Sequence, residues 1–128
     1  MSKILLIEPN RVLGRTYHEA LKHAGHIVQT CGTAQSAIMA ADEVNPEVVI
    51  LELQLVSHSG AEFLYEFRSY PDWQNVPVIV HTQVPPQQFD DNFEAIRKQL
   101  GVVEYLYKPL TDLSALLAAV RRATTVNV

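Results

Sequence analysis

Apolar residues run in short unbroken blocks along this 128-residue chain, and between the blocks they recur at helical spacing. The segments 3–8 (KILLIE), 26–31 (HIVQTC), 48–53 (VVILEL), 76–82 (VPVIVHT) and 102–107 (VVEYLY) are rich in β-branched and leucine side chains. Blocks this short with so little alternation predict strands covered on both faces, as in a parallel sheet. In the intervening stretches Leu13, Tyr17, Ala20, Leu21 and Ala24 share one helical face, with Gly25 where a C-terminal cap belongs. Thr33 serves as N-cap of a second helix carrying Ala34, Ala37, Ile38 and Ala41. A third helix follows Gly60 with Phe63, Leu64 and Phe67 inward. A fourth presents Phe89, Phe93, Ile96 and Leu100 and is closed by Gly101, and the last, from Asp112 to Ala123, presents Leu113, Leu116, Leu117 and Val120.

Five strands alternating with five helices predict an α/β fold in which right-handed crossovers keep the strands parallel. All carboxyl ends of the strands then open on one edge, where ligands and chemistry gather in such sheets. Glu8, Glu52, Thr82 and Lys108 each fall at or just past such an end. Residues 1–124 are expected to form a single domain and 125–128 a C-terminal tail; at 48% hydrophobic the chain supports one core. Pro85-Pro86, in the loop 83–91, stops strand geometry and delays the fourth helix.

A net charge of -4 supplies no basic field, so direct nucleic-acid binding is not expected. The single cysteine, Cys31, cannot close an internal disulfide and fits a reducing compartment. With no apolar run long enough to span a bilayer and no leader-like N-terminus, the expectation is a cytoplasmic protein with no membrane contact. The five histidines predict no metal site: His18 and His23 are five apart on one helix, and His26, His58 and His81 belong to three different elements, with only His58 near the expected site edge. Trp73 is expected to pack the loop ahead of the strand at 76–82.

The motifs ILLIEPN, ILELQLVSHSG, VPVIVHTQ and YLYKP, in that order, resemble the receiver domains of two-component response regulators over nearly the whole chain. The resemblance implies a flavodoxin-like (βα)5 three-layer sandwich, a five-stranded parallel sheet with helices on both faces. It also implies a phosphorylation site, which this sequence departs from. Where the family pattern has two adjacent aspartates stand Glu8 and Pro9, followed by Asn10; Glu52 takes the acceptor aspartate's place; Thr82 and Lys108-Pro109 match. In ordinary receivers the acceptor carboxylate attacks a phosphoryl group while Mg²⁺ on the acidic pair offsets charge. Proline offers no ligand. Glutamate's extra methylene moves the carboxylate outward by roughly 1.5 Å, where misplacement of about 1 Å can cost on the order of 10²-fold.

The expectation is therefore a pseudo-receiver of bacterial signal transduction: not an enzyme, without cofactor, with Mg²⁺ binding disfavoured, in which a Glu52–Lys108 ion pair holds one signalling conformation. The same pair also reads as purely structural. By the resemblance, protein partners dock on the face of the fourth helix, fifth strand and fifth helix, marked by Tyr105, Tyr107 and Pro109, and a homodimer is left open. Two alternatives stand beside this: a working Mg²⁺-dependent phosphoacceptor built from Glu8, Asn10 and Glu52, and a small-ligand or anion sensor using Lys108 and Thr82.

Overall fold

The computed structural model describes residues 2–56, 59–88 and 93–125, with the backbone alone at 93–96 and 125. The strands are β1 (Lys3–Ile7), β2 (Ile27–Cys31), β3 (Val48–Leu51), β4 (Val78–Thr82) and β5 (Val102–Tyr107). They alternate with α1 (Arg11–His23), α2 (Ala34–Val44), α3 (Gly60–Arg68), α4 (Phe93–Leu100) and α5 (Leu113–Thr125). All strand pairs are parallel, in the order β2-β1-β3-β4-β5.

The sheet separates two cores, which is why its strands read as unbroken apolar blocks. Leu5, Ile7, Val49, Leu51, Val78 and Val80 face α2 and α3, where Ala37, Ala41, Phe63 and Phe67 are buried. Their neighbours Ile4, Leu6, Val48, Ile50 and Ile79 face α1 and α5, against Leu21, Leu116 and Val120. Trp73 is buried in a 3-10 turn, Pro71–Trp73, with its ring stacked on Phe67. Arg68 ties the end of α3 to the α4–β5 connection through the carbonyls of Leu100 (2.8 Å) and Gly101 (3.3 Å), and to the 3-10 turn through that of Trp73 (2.6 Å).

Local chemistry fixes the element ends. Asn10, Thr33 and Ser59 cap α1, α2 and α3, their side chains accepting from Leu13, Ser36 and Glu62 N–H, and Asp112 accepts from Ala115 N–H at the start of α5. Gly25 adopts φ +99 after α1, as expected of a C-terminal glycine. Asn45 (φ 52) plays that part after α2, which the sequence reading did not single out. Gly60 is required for a different reason: a Cβ there would come 2.7 Å from Leu53 Cα, because the start of α3 folds back on the end of β3.

Several expected boundaries shift. β1 and β3 stop at Ile7 and Leu51 rather than at 8 and 53, β2 starts at Ile27, and β4 starts at Val78, after Pro77, which has no N–H to give the ladder. The expected start of the fourth helix at Phe89 lies outside the described residues. α5 runs through Thr125, past the expected edge of the domain, and positions 126–128 also lie outside the described residues. Among the described residues no helix is long and apolar enough to cross a membrane.

Candidate functional site

Glu8 and Glu52 each lie one residue past a strand, yet their backbones remain pinned. Glu8 N–H donates to Cys31 O (2.9 Å) and Glu52 N–H to Ile7 O (3.0 Å). The two carboxylates therefore emerge side by side at the carboxyl ends of neighbouring strands, and both residues are buried. Lys108 opens a 3-10 turn, Lys108–Leu110, directly after the edge strand β5. Its stem crosses the end of β4 and brings Nζ to 2.8 Å from Glu52 Oε1 and 2.5 Å from Glu8 Oε1. The Lys108 side chain is only 5% exposed, so this is a buried cluster of one ammonium and two carboxylates.

Each Glu52 oxygen accepts two hydrogen bonds and each Glu8 oxygen one. Glu52 Oε2 accepts a short hydrogen bond from the Thr82 hydroxyl and another from Gln54 N–H (3.1 Å), while Oε1 accepts from Gln83 N–H (3.2 Å) as well as from Lys108. Glu8 Oε2 accepts from Asn10 N–H (3.1 Å). Burial alone would push the Glu52 carboxyl up; the Lys108 ammonium, the Thr82 hydroxyl and the Gln54 N–H together outweigh it and hold the group below the usual carboxylate range. Lys108 is its mirror image, with burial pulling it down and its two carboxylates holding it above an ordinary lysine.

The structure thus brings together Glu8, Glu52, Thr82 and Lys108. It does not bring in the Asn10 side chain, which is committed to capping α1, and Pro9 contributes no polar side chain. Tyr105 is half-buried on β5, and its hydroxyl donates to Val84 O (2.5 Å), fastening the loop after β4. Burial, then the nearby Glu52 charge, pushes its phenol up to about 12. Tyr107 is half-buried and its carbonyl accepts from the Thr111 hydroxyl (2.7 Å); Pro109 is exposed in the turn.

One expectation is corrected. His58, the histidine placed near the site edge, lies outside the described residues, whereas His81 sits beside the cluster. It immediately precedes Thr82, is 3% exposed, and meets the Tyr17 ring edge-on at 4.8 Å; Lys108 Nζ lies 6.0 Å from the centre of that same ring. Burial, reinforced by the Lys108 charge, lowers its pKa to about 4, so it is neutral at pH 7. The available signal was alternation: on a strand whose Thr82 faces the site, the preceding side chain turns to the opposite face of the sheet, towards α1. Cys31 is buried, and burial raises its thiol, in keeping with a packing role.

Known proteins share this arrangement of chain. The KDP operon transcriptional regulatory protein KdpE of Escherichia coli is 32% identical over 98% of this chain and 55% of its own length. The probable transcriptional regulatory protein TcrX of Mycobacterium tuberculosis is 33% identical over 97% of this chain and 51% of its own. The chain spans about half the length of these curated relatives. Among solved structures, the chemotaxis response regulator CheY4 of Vibrio cholerae superposes with a TM-score of 0.83 at 22% identity, covering 96% of this chain and 98% of its own. The non-phosphorylated HemR receiver domain of Leptospira biflexa superposes at 0.82 and 24% identity, covering 98% and 96%. At those identities the structural likeness is one of fold. Residues 4–121, nearly the whole molecule, match the response regulator receiver domain, and the chain belongs to that family.

Proposed function

We propose that this receiver works without phosphorylation, as a protein-interaction module whose state is set by its own buried ion cluster. The observation that carries the reading is the saturation of Glu52: both carboxylate oxygens are occupied by Lys108, the Thr82 hydroxyl and two backbone N–H groups, leaving no free lone pair aimed at an incoming phosphoryl group. Lys108 and Thr82, which in the family pattern would meet the phosphorylated acceptor, are here engaged by the acceptor position itself. The carboxylate of Glu52 stands in for the charge that a phosphoryl group would bring.

The donor set fits Mg²⁺ poorly. That ion demands near-ideal octahedral oxygen geometry at about 2.0–2.1 Å, whereas Glu8 and Glu52 are drawn together onto an ammonium, Asn10 points into a helix cap, and Pro9 supplies nothing. The same pairing counts against an anion sensor at this crevice, since the cation and the hydroxyl that would greet the anion are already bound. For partners, the reading assigns the face of α4, β5 and α5, marked by Tyr105 and Tyr107 on β5 and Pro109 in the turn after it.

Intact-mass measurement after incubation with acetyl phosphate and Mg²⁺ tests this. The expected outcome is no phosphoryl adduct on the wild type, and none on Glu52→Asp either, because Pro9 still leaves the metal site one ligand short. An acid-labile adduct on the wild type would sink the proposal and return the chain to the phosphoacceptor reading.

A further inference from the structure

On the far side of His81 from the ion cluster, a hollow of about 210 Å³ opens between α1, the end of β4 and the start of α5. That is about seven times the ~30 Å³ share of a liquid water molecule. One wall is apolar, made by Leu113, Leu116 and the Tyr17 ring. The other carries His81, Thr111 and the exposed residues Thr16 and Asp112. His81 is 97% removed from solvent by its 3% exposure, and neither ring nitrogen has a hydrogen-bond partner among the described residues. Yet no fully buried side-chain nitrogen or oxygen among those residues lacks a partner. The polar edge of the imidazole must therefore open on the hollow.

The chemistry of this wall leans towards acceptors. The Thr16 hydroxyl already donates to Val12 O (3.0 Å) and the Thr111 hydroxyl to Tyr107 O (2.7 Å), so both offer only lone pairs inward. Asp112 uses Oδ1 to cap α5 through Ala115 N–H (2.8 Å) and keeps the other oxygen as an acceptor. Neutral His81 supplies one nitrogen lone pair and one N–H. Among the residues that line the hollow the one formal charge is the Asp112 carboxylate; the Lys108 ammonium, whose charge also reaches His81, lies beyond the Tyr17 ring and is held by Glu8 and Glu52.

We infer that this hollow is a binding site for a small organic ammonium ion, a primary amine whose short apolar body lies on Leu113, Leu116 and Tyr17 while its N–H groups meet Asp112 and His81. Its position gives it access to the signalling core. His81 is continuous with Thr82 on β4, and Tyr17 lies over Lys108, so an occupant presses on the back of the ion cluster and on the turn leading into α5. The inference does not depend on the phosphorylation-independent reading, because the wall is the same whichever chemistry Glu52 performs.

The test is a backbone amide NMR titration at pH 7 with isopentylamine, its uncharged isostere isopentanol, and the anion 4-methylpentanoate. Saturable shifts at 16–17, 81 and 111–116 are expected for the amine in the millimolar range. Binding of the alcohol should be at least tenfold weaker, and the anion should leave those signals unmoved. Asp112→Asn retains a competent helix cap and is expected to weaken amine binding about tenfold; His81→Phe keeps the aromatic contact with Tyr17 and should weaken it likewise. No saturable shift with the amine, equal binding of the alcohol or anion, or undiminished binding by a folded Asp112→Asn protein would each overturn the assignment.

Discussion

At the scale of the residue, the cluster is asymmetric, and the asymmetry predicts unequal costs of mutation. Lys108 is shared by two buried carboxylates, whereas each carboxylate has other donors besides it. Lys108→Met removes the only cation and leaves two anions side by side; breaking a buried pair from one side typically costs about 3–5 kcal/mol, and this variant should fall in or above that range in urea unfolding. Glu8→Gln leaves Lys108 paired with Glu52 and should cost less than half as much. Equal costs would mean that the cluster is not buried in solution as it is here. The Glu8–Lys108 contact, at 2.5 Å, is as much an ion pair as the Glu52–Lys108 contact anticipated from the sequence. The sequence reading put Glu8 at the first acidic position and paired only Glu52 with Lys108, because spacing along the chain says nothing about how far a lysine stem reaches across a sheet.

At the scale of the element, Gly60 governs how α3 meets the site. A methyl group there would press on the Leu53 backbone and lie 3.2 Å from Glu52 O, and neither can move without shifting the segment that positions the Glu52 carboxylate. Gly60→Ala should destabilise by about 1–3 kcal/mol, the usual range for overpacking, and should shift the amide signals of residues 52–54; an unperturbed Gln54 amide would show that the site tolerates the crowding. The elements themselves were legible because two-sided burial writes strands as apolar blocks and Thr33 and Gly25 mark helix ends. Boundaries were less legible: Leu53 and Val76 look like strand residues, but apolar character continues past the last ladder hydrogen bond. The nearness of His81 to the site was missed because its element was considered without asking which face of the strand it takes. The hollow beside it depends on how the start of α5 packs on α1, a three-dimensional fact with no local pattern.

At the scale of the whole molecule, the titrating groups set the direction of its pH response. His81, lowered to about 4 in the fold from about 6.5 in an unfolded chain, favours the folded state fully above pH 6.5, and that contribution is lost as pH falls towards 4. The slope over this interval is about 1.4 kcal/mol per pH unit and the total roughly 3 kcal/mol. Glu52, held below its ordinary range, begins to lose its contribution only at the acid end of that window, below the ordinary carboxylate value, and loses the rest at still lower pH; Lys108, held above its own, loses its contribution only at strongly alkaline pH. His81→Phe should therefore flatten the stability profile between pH 6.5 and 4 while leaving the alkaline limb unchanged, as read by thermal unfolding across pH. A wild-type profile already flat in that window would place His81 in water rather than in the core. The ion cluster has one more consequence, in the order of events during synthesis. Lys108 lies 100 residues after Glu8 and 56 after Glu52 in the chain, so both carboxylates must wait for the whole stretch up to Lys108 to leave the ribosome before their cation arrives. Until then the two acidic strand ends have no ammonium between them, and a nascent chain halted before Lys108 lacks the group that fastens this edge of the sheet in the folded domain.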